Sequence, residues 1–209
     1  MRAPVRLFLA SSNPGKLAEY RALAQTATST TAIALELLPG FETLPAFEEN
    51  APTFAENAAG KALHYSRFRD GLVFADDSGL VVPTLGGAPG VLSARYAGPG
   101  ASSPQRNAKL LTEMRGKGAG ERRAYFVCAI ALAQRAGALA VVTGRVDGEI
   151  TETPRGNHGF GYDPVFYLSA LKKGFAELST EEKNNLSHRG QAFRKLLTFL
   201  ACDTLADCS

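Results

Sequence analysis

RAYFVCAIALAQRAGALAVVTGRVDGEI, residues 123–150, decides the architecture. Arg123 to Ala133 and Leu139 to Ile150 read as two long strands joined at Arg135-Ala136-Gly137, with a hairpin as the simplest connection. The first strand is apolar almost throughout from Tyr125 to Ala133, which suits a central place in a sheet. Upstream, strands alternate with helices instead. Val5 to Ala10 is a short apolar run that meets Ser11-Ser12-Asn13-Pro14-Gly15 and then helix-forming Lys16 to Ala24. Ala32 to Leu38 reads as a second strand. Thr53 to about Phe68 is a helix, with Thr53 and Glu56 at capping-box spacing and Phe54, Ala58, Ala62 and Tyr65 on one face. Leu72 to Ala75 is a buried strand ending in Asp76-Asp77-Ser78-Gly79. Gly86 to Gly90 is a loop, and Ser103-Pro104 opens a helix to about Met114 with proline at the first position. Val165 to Tyr167 is a short strand. Gly190 to Cys202 is a last helix, with Phe193, Leu196, Leu197 and Leu200 as its apolar stripe. Strand–helix units followed by a long hairpin give an α/β fold on a mixed sheet with flanking helices, not a purely doubly wound one.

The chain has 209 residues, 45% hydrophobic and 21% charged, enough for one substantial core and a single domain over 1–209. Its net charge of +3 comes from scattered residues, the densest pairs being Arg122-Arg123 and Lys172-Lys173. No patch or stripe suited to a nucleic acid is visible. Three cysteines, Cys128, Cys202 and Cys208, do not form a disulfide framework and favour a reducing compartment. His64, His158 and His188 lie far apart, and no paired cysteine spacing resembles a zinc knuckle. Leu7 to Ala10 is too short for a signal peptide, and no run approaches the roughly 20 apolar residues of a membrane helix. The expectation is a cytoplasmic protein that binds neither membrane nor nucleic acid.

Four segments carry residues suited to chemistry. Ser11 to Lys16 lies between a strand and a helix start, where exposed amides, the helix dipole and Lys16 favour an anion. It lacks the first glycine and the hydroxyl residue of a Walker A loop, and an ordinary capped helix would explain it equally. Asp76-Asp77 sets two carboxylates together after an apolar strand, which suits magnesium with substrate phosphates or, more simply, a solvated turn. Glu48, Glu49 and Glu56 lie just upstream as further acids. Gly159-Phe160-Gly161-Tyr162-Asp163-Pro164 combines flexible glycines with aromatics that could stack on a base, or forms a plain turn. Lys183 to Arg189 reads as a polar loop whose Lys, His and Arg can donate to phosphate or to a base's keto oxygen. Together they are the parts of a metal–nucleotide site.

The ordered series resembles the inosine triphosphate pyrophosphatase family along nearly the whole chain. It comprises Ser11 to Lys16, Thr53 to Ala58, Ala75-Asp76-Asp77-Ser78-Gly79-Leu80, Gly86 to Gly90, Ser93-Ala94-Arg95-Tyr96, Gly159 to Pro164, Glu181 to Asn184 and Ser187 to Gly190. The resemblance implies Mg²⁺-dependent hydrolysis of non-standard purine nucleoside triphosphates (ITP, dITP, XTP) to monophosphate and pyrophosphate. It implies an elongated fold of two lobes with the active-site cleft between them, and a homodimer. Asp77 falls at the general base and metal position, with Asp76 and Glu49 as further acidic metal positions. Asn13 and Lys16, within the loop Ser11, Ser12, Asn13, Pro14, Gly15 and Lys16, and Lys61 fall at triphosphate positions. Ser78 falls beside the metal. Phe160, Gly161, Tyr162 and Asp163 fall around base and sugar, with Phe160 stacking, and Lys183, His188 and Arg189 at base-reading positions. The chain departs from the family after Glu49, where Ala51-Pro52 replaces the usual glycine. The rival readings are a hydrolase of pyrimidine triphosphates and a nucleotide-binding module without turnover.

Overall fold

The computed structural model describes residues 4–26 and 32–206. Its strands are β1 (Val5–Leu9), β2 (Ile33–Leu37), β3 (Leu72–Val81), β4 (Arg123–Gln134), β5 (Gly137–Ile150), β6 (Phe166–Leu168) and β7 (Lys173–Gly174). They form one sheet in the order β2-β1-β3-β4-β5-β6-β7. β1 is parallel to β2 and β3, while β6 is antiparallel to β5 and β7, so the sheet is mixed. The β4–β5 turn places Arg135 and Ala136 at φ 48° and 61°. Two consecutive left-handed residues are the conformation a tight two-residue hairpin requires. The helices are α1 (Pro14–Thr26), α2 (Phe54–Tyr65), α3 (Ser103–Glu113), α4 (Thr180–Leu186) and α5 (His188–Ala206). None is long and apolar enough to cross a membrane among the described residues. Cys128 and Cys202 are free thiols, and Cys208 lies outside the described residues.

Three expectations change. β3 does not stop at Ala75 but runs to Val81, because Leu80 continues the apolar pattern beyond the acidic pair and is fully buried. Asp76 and Asp77 therefore lie within a strand rather than at its end. The helix at 103 is capped one residue earlier, by Ser102, whose hydroxyl accepts from the Gln105 amide while the Gln105 side chain returns to the Ser102 amide. That capping box moves Pro104 to the second helical position. The polar run from Lys183 is mostly not a loop. Ser179 and Glu182 close another capping box and start α4, leaving Ser187 as the link to α5.

Contacts divide the chain into two compact units: residues 1–77, 128–144 and 189–209, and residues 78–127 and 145–188. In the first unit, alternate residues of the strands serve two different cores. Leu7, Leu9, Phe74, Cys128, Ile130 and Leu132 meet Tyr20 and Leu23 of α1 and Phe193, Leu196 and Leu200 of α5. Phe8, Val73, Ala75, Ala129, Ala131 and Ala133 meet Ala58, Ala62 and Tyr65 of α2. The period of two is that of a sheet covered on both faces. The run of alanines on β4 lets α2 approach closely. In the second unit, Leu80, Leu110, Met114, Phe126, Ile150, Val165, Phe166 and Phe175 form a separate core.

Candidate active site

Consecutive residues of a strand point to opposite faces, and this separates the two aspartates. Asp76 follows Phe74 toward α1 and α5. It is fully buried, and its Oδ2 lies 3.0 Å from Lys16 Nζ and 3.7 Å from Arg189 Nε. Arg189, at the start of α5, also pairs with Glu19 of α1. Burial pushes the Asp76 carboxyl up, but Lys16, Arg189 and Lys61 outweigh it and hold it below the ordinary range. The same carboxylates more than offset the burial of Arg189, keeping it charged. Cys128 Sγ lies 3.9 Å from Asp76 Oδ2, and burial with that carboxylate beside it pushes the thiol to about 12. Asp76 Oδ1 is buried with no hydrogen bond.

Asp77 follows Val73 and Ala75 toward α2. Its Oδ2 accepts a 2.9 Å hydrogen bond from Asn57 Nδ2. Burial, then the Glu49 carboxylate, raise its pKa from 3.8 to about 6, with Asn57 and Lys16 pulling in the opposite direction. Lys61, on the same helix as Asn57, holds Glu49 Oε1 at 2.6 Å and the Asp76 carbonyl at 3.3 Å. Burial depresses the Lys61 ammonium, and the surrounding carboxylates more than restore it. Thr53 caps the helix as its spacing predicts.

At the start of α1, Asn13 Oδ1 accepts from the Gly15 and Lys16 amides at 2.9 and 3.2 Å. Ser11 is buried, its hydroxyl accepting from the Asn13 amide at 3.2 Å, while Ser12 is exposed. Pro14 is the first residue of α1. The first unit therefore gathers Asn13, Lys16, Glu49, Lys61, Asp76, Asp77 and Arg189. Two ammonium groups and two distinct carboxylate environments suit a polyphosphate and a cation.

The second unit holds the aromatic and donor residues. Asp163 Oδ2 accepts from Lys183 Nζ at 2.7 Å and from the Phe160 amide at 2.8 Å. The Lys183 ammonium sits 4.9 Å from the Phe160 ring centroid, within cation–π reach. Gly159 has φ 77°, and a β-carbon there would meet Asp163 Oδ2 at 2.1 Å, so only glycine fits. Gly161, at φ 66°, faces open space. Tyr162 is buried, and its hydroxyl donates to the Ser93 carbonyl at 2.9 Å, an anchor for the loop. Ser93 in turn accepts from the Leu80 amide. His188 stacks on Phe126 at 4.9 Å and 10° between planes. Ser78 is half-buried in β3.

Thus Phe160, Asp163 and Lys183 come together, whereas Arg189, adjacent in sequence to His188, joins Asp76 and Glu19 in the first unit. Sequence reading gave no role to Asn57, Glu19 or Phe126. Glu19 is three residues after Lys16 on one helix face, and Asn57 lies inside a quoted motif; nothing local marks Phe126. Among the described residues, no three His, Cys, Asp or Glu side chains gather closely enough to hold a metal alone. Magnesium, which takes one or two carboxylates with waters and phosphates, fits Asp77 and Glu49 better than a self-contained cage would.

Comparison with known proteins agrees with the motif series. Residues 7–199 match the model of the Ham1 family. A dITP/XTP pyrophosphatase of Geobacillus kaustophilus is 47% identical over 190 residues, covering 91% of each chain. One of Acidobacterium capsulatum is 46% identical over 202 residues, 93% of this chain and 97% of that one. Among solved structures, a HAM1 protein from Coxiella burnetii superposes with a TM-score of 0.82 at 40% identity, over 94% of this chain and 98% of that chain. With motif order, fold and sequence in agreement over nearly its full length, the chain belongs to the Ham1 family.

Proposed function

We propose that this protein hydrolyses the α–β phosphoanhydride of non-standard purine nucleoside triphosphates, dITP, ITP and XTP, releasing the monophosphate and pyrophosphate. The observation that carries the reading is Asp77. It is a carboxylate with a pKa of about 6, set opposite Glu49 and close to two lysines. The names of the relatives support the reaction and the base class. Asp77 accepts a proton from water, and the water oxygen attacks the α-phosphorus as the bond to the bridging oxygen breaks. A base poised near neutrality suits that transfer. Lys16 and Lys61 offset charge building on the pyrophosphate, the main requirement in phosphoryl transfer. Asn13 and the Ser11–Lys16 loop orient the phosphates. Asp77 and Glu49 would hold Mg²⁺, which supplies Lewis-acid charge neutralisation at the phosphates. Asp76, enclosed by Lys16 and Arg189, sets the field rather than binding the ion.

Phe160 stacks on the base, while Lys183 and His188 donate toward it. Hypoxanthine and xanthine carry a keto oxygen at position six. Adenine carries an amino group there and leaves a donor unpaired, at about 1–3 kcal/mol for each. Arg189 enters base reading only by exchanging its present partners. Leu139 and Val141 are exposed on one face of β5 and offer a homodimer surface. Pyrophosphate release from ITP, XTP, dITP, ATP and GTP, with and without Mg²⁺, tests the reading. Magnesium-dependent release from ITP, XTP and dITP well above that from ATP is expected, with GTP reporting any discrimination beyond position six. Equal rates with ATP, or none with any purine triphosphate, refute it.

A further inference from the structure

Asn57, in the first turns of α2, is fully buried, and its carboxamide is saturated. Oδ1 accepts from the Ala51 amide at 2.9 Å, and Nδ2 donates to the Ala51 carbonyl at 3.3 Å and to Asp77 Oδ2 at 2.9 Å. Only an oxygen can accept from the Ala51 N–H, so the atom turned to Asp77 is the nitrogen. Two residues before Ala51 stands Glu49, opposite Lys61. One side chain thus joins the acidic segment to the carboxylate on β3.

We infer that Asn57 is a positioning residue for the hydrolytic step, fixing the rotation of the Asp77 carboxylate and its placement relative to the Glu49 segment. The last torsion of an aspartate is soft, so a hydrogen bond to one carboxylate oxygen narrows the orientations it takes. A general base acts only when its oxygen is within hydrogen-bond reach and aligned, and a small misplacement is costly in rate. The two-point grip on Ala51 stops Asn57 itself from turning. A role confined to the loop would need only that grip. The third bond, to Asp77, is what a positioning role adds.

The kinetic half of this inference rests on the proposed pyrophosphatase reading; the structural half does not. Asn57→Asp keeps an acceptor for the Ala51 amide, loses the donation to the Ala51 carbonyl in either background, and sets a second carboxylate against Asp77. Asn57→Asp combined with Asp77→Asn exchanges donor and acceptor and restores the bond. Unfolding in EDTA at about pH 8 should show a large loss for Asn57→Asp alone and a clearly smaller loss in the Asp77→Asn background, where only the broken Ala51 carbonyl bond is uncompensated. Equal losses in both backgrounds overturn the bridge. With ITP and Mg²⁺, Asn57→Asp and Asn57→Ala should lower kcat about 10- to 100-fold, the scale of one hydrogen bond to a charged group, with KM within about threefold. Asn57→Ala, which adds no buried charge, serves if Asn57→Asp does not fold, and a wild-type kcat for it overturns the positioning role. Absence of pyrophosphate release from wild-type protein would sink the functional reading alone, since the unfolding cycle decides the bridge independently.

Discussion

Replacing Asp77 with asparagine should abolish turnover and yet stabilise the metal-free protein. Folding moves the Asp77 pKa from 3.8 to about 6, chiefly through burial and then through Glu49. The folded state therefore holds the proton more tightly than the unfolded chain. The favourable contribution is complete below about pH 4 and is lost as pH rises through about 6. Above that, ionised Asp77 costs about 3 kcal/mol, at about 1.4 kcal/mol for each pH unit separating the two pKa values. Asn57 Nδ2 would still donate to the introduced amide oxygen, so the substitution removes charge while keeping that bond. In EDTA, Asp77→Asn should gain about 3 kcal/mol at pH 8 and about half of that at pH 5. For a chain of this size the larger figure is about 6–12 °C in melting temperature. Thermal or urea unfolding at both pH values reads it directly. Adding Mg²⁺ should then raise the wild type more than the variant, because only the wild type retains both carboxylates. A variant no more stable than wild type at pH 8, or a gain independent of pH, would refute the claim that Asp77 is held against its tendency to protonate.

Arg189→Met should destabilise the protein by about 3–5 kcal/mol, because Asp76 and Glu19 lose a buried partner and retain their charges. Denaturant unfolding checks this, and a change within about 0.5 kcal/mol would return Arg189 to a role confined to the ligand. Gly159→Ala forces a β-carbon into Asp163 Oδ2 and a left-handed backbone onto alanine. It should displace Asp163 from the Phe160 amide and raise KM for ITP more than it lowers kcat, as steady-state kinetics will show.

The sheet was readable because its signals are local. The hairpin at 123–150 appears as two apolar runs around Arg135-Ala136-Gly137, and α2 is announced by Thr53 and Glu56. What failed were boundaries set by burial elsewhere. Asp76-Asp77-Ser78-Gly79 has the composition of a turn, and it remains a strand because residues on both sides of it are buried in separate cores. The polar run from Lys183 resembles a loop, although Ser179 and Glu182 carried the signature of a helix start. The candidate site was legible as a set of motifs, but not the pairings among its side chains. Nothing in Ser187-His188-Arg189 tells that His188 meets Phe126 while Arg189 meets Glu19. Such pairings depend on which unit each side chain faces.

The adjacent aspartates show how one strand makes two kinds of carboxylate. Side by side in a turn, they would repel, and neither would be distinguished from the other. In β3 the alternation of faces sends them into opposite surroundings. Asp76 meets Lys16 and Arg189, and it stays ionised despite complete burial. Asp77 is buried beside the Glu49 carboxylate, and its pKa rises toward neutrality although Asn57 donates to it. Paired titratable groups whose environments drive their pKa values apart mark a division of labour between field and proton transfer. That division rests on the two-residue period of a strand, with Lys16 and Arg189 against Asp76 on one face and burial beside the Glu49 carboxylate at Asp77 on the other. The extension of β3 through the acidic pair is therefore the structural fact on which the assignment of the base depends.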